Sequence, residues 1–489
     1  MMKYTTPEQV GVSSTDIKRY IDILEENQIS THNMIMMRGE QIFFEKYWEP
    51  FYPEYLHRMY SVTKSVVSLA IGFAMQDGLL HLDDPIVSYF EKEAAISEHI
   101  DENVRKQTIR NMLMMSTAKG PGAWFVYSNG DRVQHYFSNA NPTREPGVKF
   151  EYDTCSSFVL CALIERLTGM EFMDYMREKL FDKIGVSKEA YCLKCPGGHS
   201  WGDSALICQP RDLLLIARFV MNKGRWNGEQ ILNEEYIAEA TSKLIETAED
   251  DEVSYNTFGY GYQIWQTYDN SYMFYGMGCQ FAICVPDKDI IFIYDGDNQG
   301  YEGSEDMVVR SFFEMVVRNA RDMSLKENPE GEELLKQPMK LMVAQGDAYS
   351  SLQGKINDVV FTMQPNRMNF SDVSLHFGDD CCYLNYTNEQ GKKSLPFGML
   401  KNVFDVFPQE GYSDQVGSEW TKGHYYRCAT SAAWLDEKKL LIKVQIIDKY
   451  FGRMDIVFNF ADEHKFEMNI TKTAEYFLDE YFGTAIGER

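Results

Sequence analysis

The chain has 489 residues, too many for one hydrophobic core, and its length suggests about two to four domains. Hydrophobic residues at 44% and charged residues at 25% give the balance of an ordinary globular protein and exclude a disordered or fibrous one. Acidic residues outnumber basic ones 73 to 48, and the net charge of −25 repels phosphates and anionic lipid, so neither nucleic acid nor a membrane is expected as a partner.

The opening residues carry no apolar stretch behind Lys3, which argues against a secretory signal. No uncharged apolar run approaches the ~18 residues needed to cross a bilayer. The ten cysteines are scattered, with Cys381 and Cys382 adjacent, a usage that suits reduced thiols. A cytoplasmic location is the expectation. Cys192 and Cys195 have Cys-x-x-Cys spacing but lack a second pair, so no metal is expected.

Residues 33–37 and 41–47 are apolar runs separated by Arg38-Gly39-Glu40 and predict a β-hairpin. A helix-rich stretch follows from Ser61 to about Met221. Its first helix, Ser61 to about Asp77-Gly78, has no charge from Ser65 to Met75 and is apolar all round, the mark of a buried helix. Strands are then expected over 258–266, 271–275, 280–285 and 289–294, and a helix over about 305–323. Strands at both ends with helices between predict one antiparallel sheet flanked by helices. The charged segment 325–340 contains Pro and Gly and marks a boundary, dividing the chain into domains at 1–330 and 340–489. Beyond it, short alternating strands at 359–363, 373–377, 381–386, 439–447, 454–460 and 465–470 predict an all-β module.

Ser61-Val62-Thr63-Lys64 opens the apolar helix. A serine at a helix N-terminus meets free N–H groups and a dipole that favour developing negative charge. A lysine three residues on shares its face. A cation in the first turn opposes the dipole, and burial would disfavour its charge, which is how such an amine becomes useful in proton transfer near neutrality. The structural alternative is a capping serine beside a snorkelling lysine. Ser116-Thr117-Ala118-Lys119 repeats the pattern, but at a helix C-terminus, where the dipole opposes an oxyanion. Gly198-His199-Ser200-Trp201-Gly202 satisfies Gly-x-Ser-x-Gly, but Pro196-Gly197 precedes it and no helix directly follows, so it fails as a nucleophile elbow. After Pro146-Gly147, a short extended piece carries Tyr152 and leads into a helix ending at Gly169. Alone, Tyr152 reads as a packed aromatic; beside the Ser-x-x-Lys helix it is a candidate proton carrier.

These segments together, from His57-Arg58-Met59-Tyr60-Ser61 through Asp83-Asp84-Pro85, Pro146-Gly147, Pro210-Arg211-Asp212-Leu213 and Gly276-Met277-Gly278, resemble the class C β-lactamase-like serine hydrolases, and within them the branch around 6-aminohexanoate-dimer hydrolase. The resemblance spans roughly residues 5 to 320. It implies an α/β (α+β) β-lactamase/transpeptidase-like domain followed by the all-β module. It also implies Ser61 as the acylated nucleophile, Lys64 as its proton partner and Tyr152 as base or leaving-group acid. Thr154, Trp201, Gly276, Met277 and Gln280 are then expected around the substrate. Two departures stand out. Thr154 replaces the Asn usual in the family's second box, and Phe274-Tyr275-Gly276 lacks the usual Lys or His two residues before the Gly. No cofactor is implied. The expected partner is a small ester or amide, and a homo-oligomer stays open. A β-lactamase, a D-alanyl carboxypeptidase or aminopeptidase, and a catalytically silent binding protein are the alternatives.

Overall fold

The computed structural model describes residues 3–95, 100–120, 131–138, 142–195, 197–248, 253–336, 343–409, 425–449, 451–474 and 478–489. Its first part is built on a seven-stranded sheet ordered Lys3–Tyr4, Gln41–Tyr47, Asn33–Arg38, Ile290–Asp295, Gln280–Val285, Ser271–Gly276 and Trp265–Thr267. All neighbours are antiparallel except the parallel Lys3–Tyr4 edge. Two segments far apart in sequence meet at its centre, with Ile35 opposite Ile293 and Met37 opposite Ile291.

The central strands read as continuous apolar runs because both faces are covered. Ile35, Met37, Ile291 and Ile293 share one core with the helices Val62–Gln76 and Thr154–Thr168. Met34, Met36, Phe292 and Tyr294 point the other way, into a core formed with Ser14–Glu26 and the Ser304–Phe312 helix, which continues as a wider turn to Val317. Every residue from Val62 to Ala74 is buried, as the uninterrupted apolar sequence requires.

The C-terminal part is an all-β barrel of ten strands, closed where Gly398 and Met399 pair with Ser431 and Ala432. It encloses a core of its own, including Phe361, Trp434, Phe458 and Met468. The chain thus has the β-lactamase/transpeptidase fold followed by a separate barrel.

The expected hairpin is present as Asn33–Arg38 and Gln41–Tyr47, with a bulge at Met36/Met37. The expected strand over 258–266 shrinks to Trp265–Thr267. Gly259 (φ 118°) and Gln263 (φ 59°) turn the backbone out of the extended region there. The helix expected to reach 323 stops near Val317.

Candidate active site

Ser61 stands at the N-terminal boundary of the buried Val62–Gln76 helix and is half-buried. Lys64, one turn on, is 1% exposed. Its Nζ lies 2.8 Å from Ser61 Oγ and donates to the Asp203 backbone carbonyl at 2.6 Å. The i, i+3 spacing brings the amine to the hydroxyl, and the Asp203 carbonyl fixes the far end of the amine. Lys64 also lies 5.2 Å from the centre of the Tyr152 ring. That ring stacks on Trp265 at 5.6 Å and 24°. Ser61, Lys64 and Tyr152 are therefore brought together at one place, where the Ser61 helix, the lead-in to the Thr154–Thr168 helix and the edge strand Trp265–Thr267 converge.

Two buried carboxyls surround the amine. Asp153 caps the Thr154–Thr168 helix by accepting from the Cys155 N–H at 2.9 Å. Burial pushes its carboxyl up to about 7, against the opposing pull of the Cys155 and Ser156 N–H groups and of Lys64. Asp203 is fully buried and is also raised by burial, with Lys64 and Arg132 drawing it back. Sequence reasoning missed both acids. Asp153 had a local signal, since it directly follows Tyr152 and precedes a helix; Asp203 had none, lying 139 positions from Lys64.

Gly276 closes in on Ser61 from the sheet. A methyl group on it would lie 2.3 Å from the Met59 carbonyl oxygen and 3.2 Å from the Ser61 nitrogen, so the position demands glycine. The turn that follows, Met277-Gly278-Cys279, has φ of 79° at Gly278 and 74° at Cys279. Gln280 is fully buried and spends its amide nitrogen bracing this turn, donating to Met277 O at 2.9 Å and Gly296 O at 2.8 Å. Met277 is half-buried in the turn, and Thr154 is half-buried at the first position of its helix. Phe274, at the place where the related pattern carries a cation, is completely buried in the core beside the Ser61 helix. Trp201 is 2% exposed and packed between Arg58 (4.8 Å) and Arg132 (5.2 Å). It packs in the core rather than standing as an exposed loop aromatic.

The two sequence decoys spend their polar groups on other partners. Ser116 follows the Ile109–Leu113 helix and its hydroxyl donates back to Asn111 O, while Lys119 reaches the Phe137 carbonyl. His199 pairs with Glu165 at 2.7 Å, and Ser200 is buried with its N–H on the same carboxyl.

This sheet-and-helix frame with a buried Ser-x-x-Lys helix against the sheet defines a β-lactamase-type hydrolase class. The Beta-lactamase family matches residues 17–295, more than half of the chain, and the chain belongs to that family. It is 20% identical over 246 residues to the 6-aminohexanoate-dimer hydrolase of Paenarthrobacter ureafaciens, covering 47% of this chain and 63% of that protein, less than two thirds of its length. Among solved structures, EstCE1, a hydrolase with promiscuous acyltransferase activity, superposes with a TM-score of 0.50 at 14% identity, over 62% of this chain and all of that one. An octameric penicillin-binding protein homologue from Pyrococcus abyssi covers 97% of this chain and 99% of its own at 14% identity, with a TM-score of 0.49. Among the described residues, no helix is long and apolar enough to cross a membrane.

Proposed function

We propose that the chain is a cytoplasmic serine hydrolase that cleaves small esters or amides through an acyl-enzyme on Ser61. The carrying observation is the 2.8 Å approach of Lys64 Nζ to Ser61 Oγ at the mouth of a buried helix. Lys64 and Tyr152 take the hydroxyl proton as Ser61 Oγ attacks the substrate carbonyl. The oxyanion that forms is held by the Ser61 N–H, which Gly276 leaves uncovered, together with a backbone N–H of the turn after Gly276. The proton then passes to the leaving alcohol or amine, and water releases the acid by the reverse of the first half.

Neutral carbonyl substrates are favoured over anionic ones, because Phe274 offers no charge for a carboxylate. This weighs against a β-lactamase or D-alanyl peptidase, whose substrates carry that carboxylate. The names of the similar proteins agree with the reading: one is a 6-aminohexanoate-dimer hydrolase, and another is a hydrolase with promiscuous acyltransferase activity. The hydrolase domain occupies residues 1–330 and the barrel 340–489.

The test compares wild type with Ser61→Ala on an activated ester, a β-lactam and a fluorophosphonate probe. Ester turnover and labelling confined to wild type are expected. Equal turnover by both proteins overturns the reading, and β-lactam turnover without ester turnover transfers it to a β-lactamase.

A further inference from the structure

A chain of buried polar groups runs from the barrel to the segment that delivers Ser61. Gln445, on a barrel strand, donates to Asp297 Oδ2 at 2.8 Å. Asp297 Oδ1 lies 3.3 Å from His32 Nε2, and His32 Nδ1 is 2.7 Å from His57 Nε2. His57 stands four residues before Ser61, in the short strand His57–Arg58 that pairs with Leu206–Cys208. That second strand begins three residues after Asp203, whose carbonyl holds Lys64. His32, His57 and Asp297 are all fully buried.

The barrel also supplies the lid over this chain. Phe451 packs on the His57 ring at 4.0 Å and edges against His32 at 5.3 Å. His32 also stacks on Phe51 at 3.7 Å. Phe451 further reaches Tyr60 at 6.4 Å, whose ring is covered by the Arg58 guanidinium at 4.5 Å. Tyr60 directly precedes Ser61 and has φ 45°, a left-handed conformation that a bulky side chain holds only when its surroundings over-determine it. The clamp from Arg58 and Phe451 is that surrounding. Burial pulls both imidazoles below the usual histidine range, with Asp297 drawing His32 back.

We propose that His57, fixed by His32 and Asp297 and closed over by Gln445 and Phe451, is a positioning residue for Ser61, so that the barrel is a working part of the catalytic unit. This rests on Ser61 being the nucleophile. The barrel contributes no reacting atom; it holds the 57–61 turn so that Ser61 Oγ stays on Lys64 Nζ. Displacing a nucleophile by about 1 Å can cost on the order of 100-fold in rate.

The test uses the full chain with a p-nitrophenyl ester, following kcat and KM separately, and fluorophosphonate labelling rates. Phe451→Ala is expected to lower kcat and the labelling rate about tenfold or more with KM within about twofold, and Phe451→Leu to restore most of the loss. Met468→Ala, which hollows the barrel core away from the junction, is expected to lower the melting temperature and leave kcat unchanged. Wild-type kcat in Phe451→Ala, or a rise in KM alone, overturns the proposal. Should Phe451→Ala fail to fold, Gln445→Leu carries the test, and wild-type kcat in that variant overturns it. A crystal structure of the Phe451 or Gln445 variant gives an answer independent of activity. An unmoved Ser61–Lys64 pair sinks the positioning role, whereas turnover surviving in Ser61→Ala sinks the acyl-enzyme reading instead.

Discussion

The Lys64 side-chain nitrogen and the Asp203 backbone carbonyl, 139 positions apart in the chain, meet at 2.6 Å inside the protein. The contact ties the first turn of the Ser61 helix to the strand that pairs with the residues just before it. Lysine at this place is therefore both a proton carrier in the proposed mechanism and a structural tie between two elements.

Lys64→Met is expected to lower the rate of ester acylation about 10²- to 10⁴-fold, the range of a lost general base. It also removes the cation that opposes the rise of the buried Asp153 carboxyl and leaves Asp203 with Arg132 alone. Lys64→Arg should fail to rescue, because a guanidinium cannot give up its proton. Stopped-flow measurement of the burst phase checks both; a wild-type burst in Lys64→Met removes the amine from the chemistry.

Asp153 gives the stability of the fold a pH dependence. Its carboxyl rises from an ordinary 3.8 to about 7 on folding, so between those values the folded protein binds more protons than the unfolded one. The group's contribution to stability is thus fully present below about pH 4 and is lost as pH rises to about 7. Asparagine keeps the helix cap without the charge. Asp153→Asn is therefore expected to be more stable than wild type at pH 7.5, with the difference shrinking toward pH 4. Asp295, also raised to about 7, is present in both proteins and cancels from the difference. Urea unfolding across this window is the measurement, and a difference that does not change with pH contradicts the assignment.

Gly276→Ala places a methyl against the Met59 carbonyl. We expect a loss of about 1–3 kcal/mol in stability, the usual cost of overpacking, and a fall in kcat larger than any change in KM, because the shift falls on the Ser61 N–H. Thermal unfolding and steady-state kinetics on the same preparation separate the two effects.

Tyr152→Phe keeps the ring that stacks on Trp265 and removes only the hydroxyl. Stability is expected to stay within about 0.5 kcal/mol of wild type, as for a change that leaves packing intact. Acylation is expected to fall about 10²-fold or more. Unchanged acylation would assign Tyr152 to packing alone.

The Ser61–Lys64 pair was legible because both its parts are local: a three-residue spacing, and eleven uncharged residues of helix behind it, Ser65 to Met75, whose burial the sequence states outright. The helix that follows Tyr152 was legible for the same reason. What holds the pair was not. Asp203, His32, His57 and Asp297 come from separate segments, and no pattern along the chain announces that they meet. The Tyr60 backbone could not be anticipated either, since nothing in the sequence marks a tyrosine for the left-handed region. In the barrel, the strand Gly391–Met399 was hidden by its run of Lys392, Lys393 and Ser394, and Arg427–Asp436 by its small Ala, Thr and Ser residues. Both are strands because their neighbours pair with them, a tertiary cause that overrides weak local preference.

The central sheet imposes an order on biosynthesis. Asn33 and Asp295 share a hydrogen bond across 262 positions, and the strand Asn33–Arg38 lies directly beside Ile290–Asp295. At about 5–20 residues per second, the ribosome needs roughly 13 to 50 seconds to supply the partner strand. During that interval the helix Val62–Gln76, greasy on all sides, has no finished sheet to lie against. A chaperone that shelters such a segment on the nascent chain would therefore govern how much active protein a cell obtains.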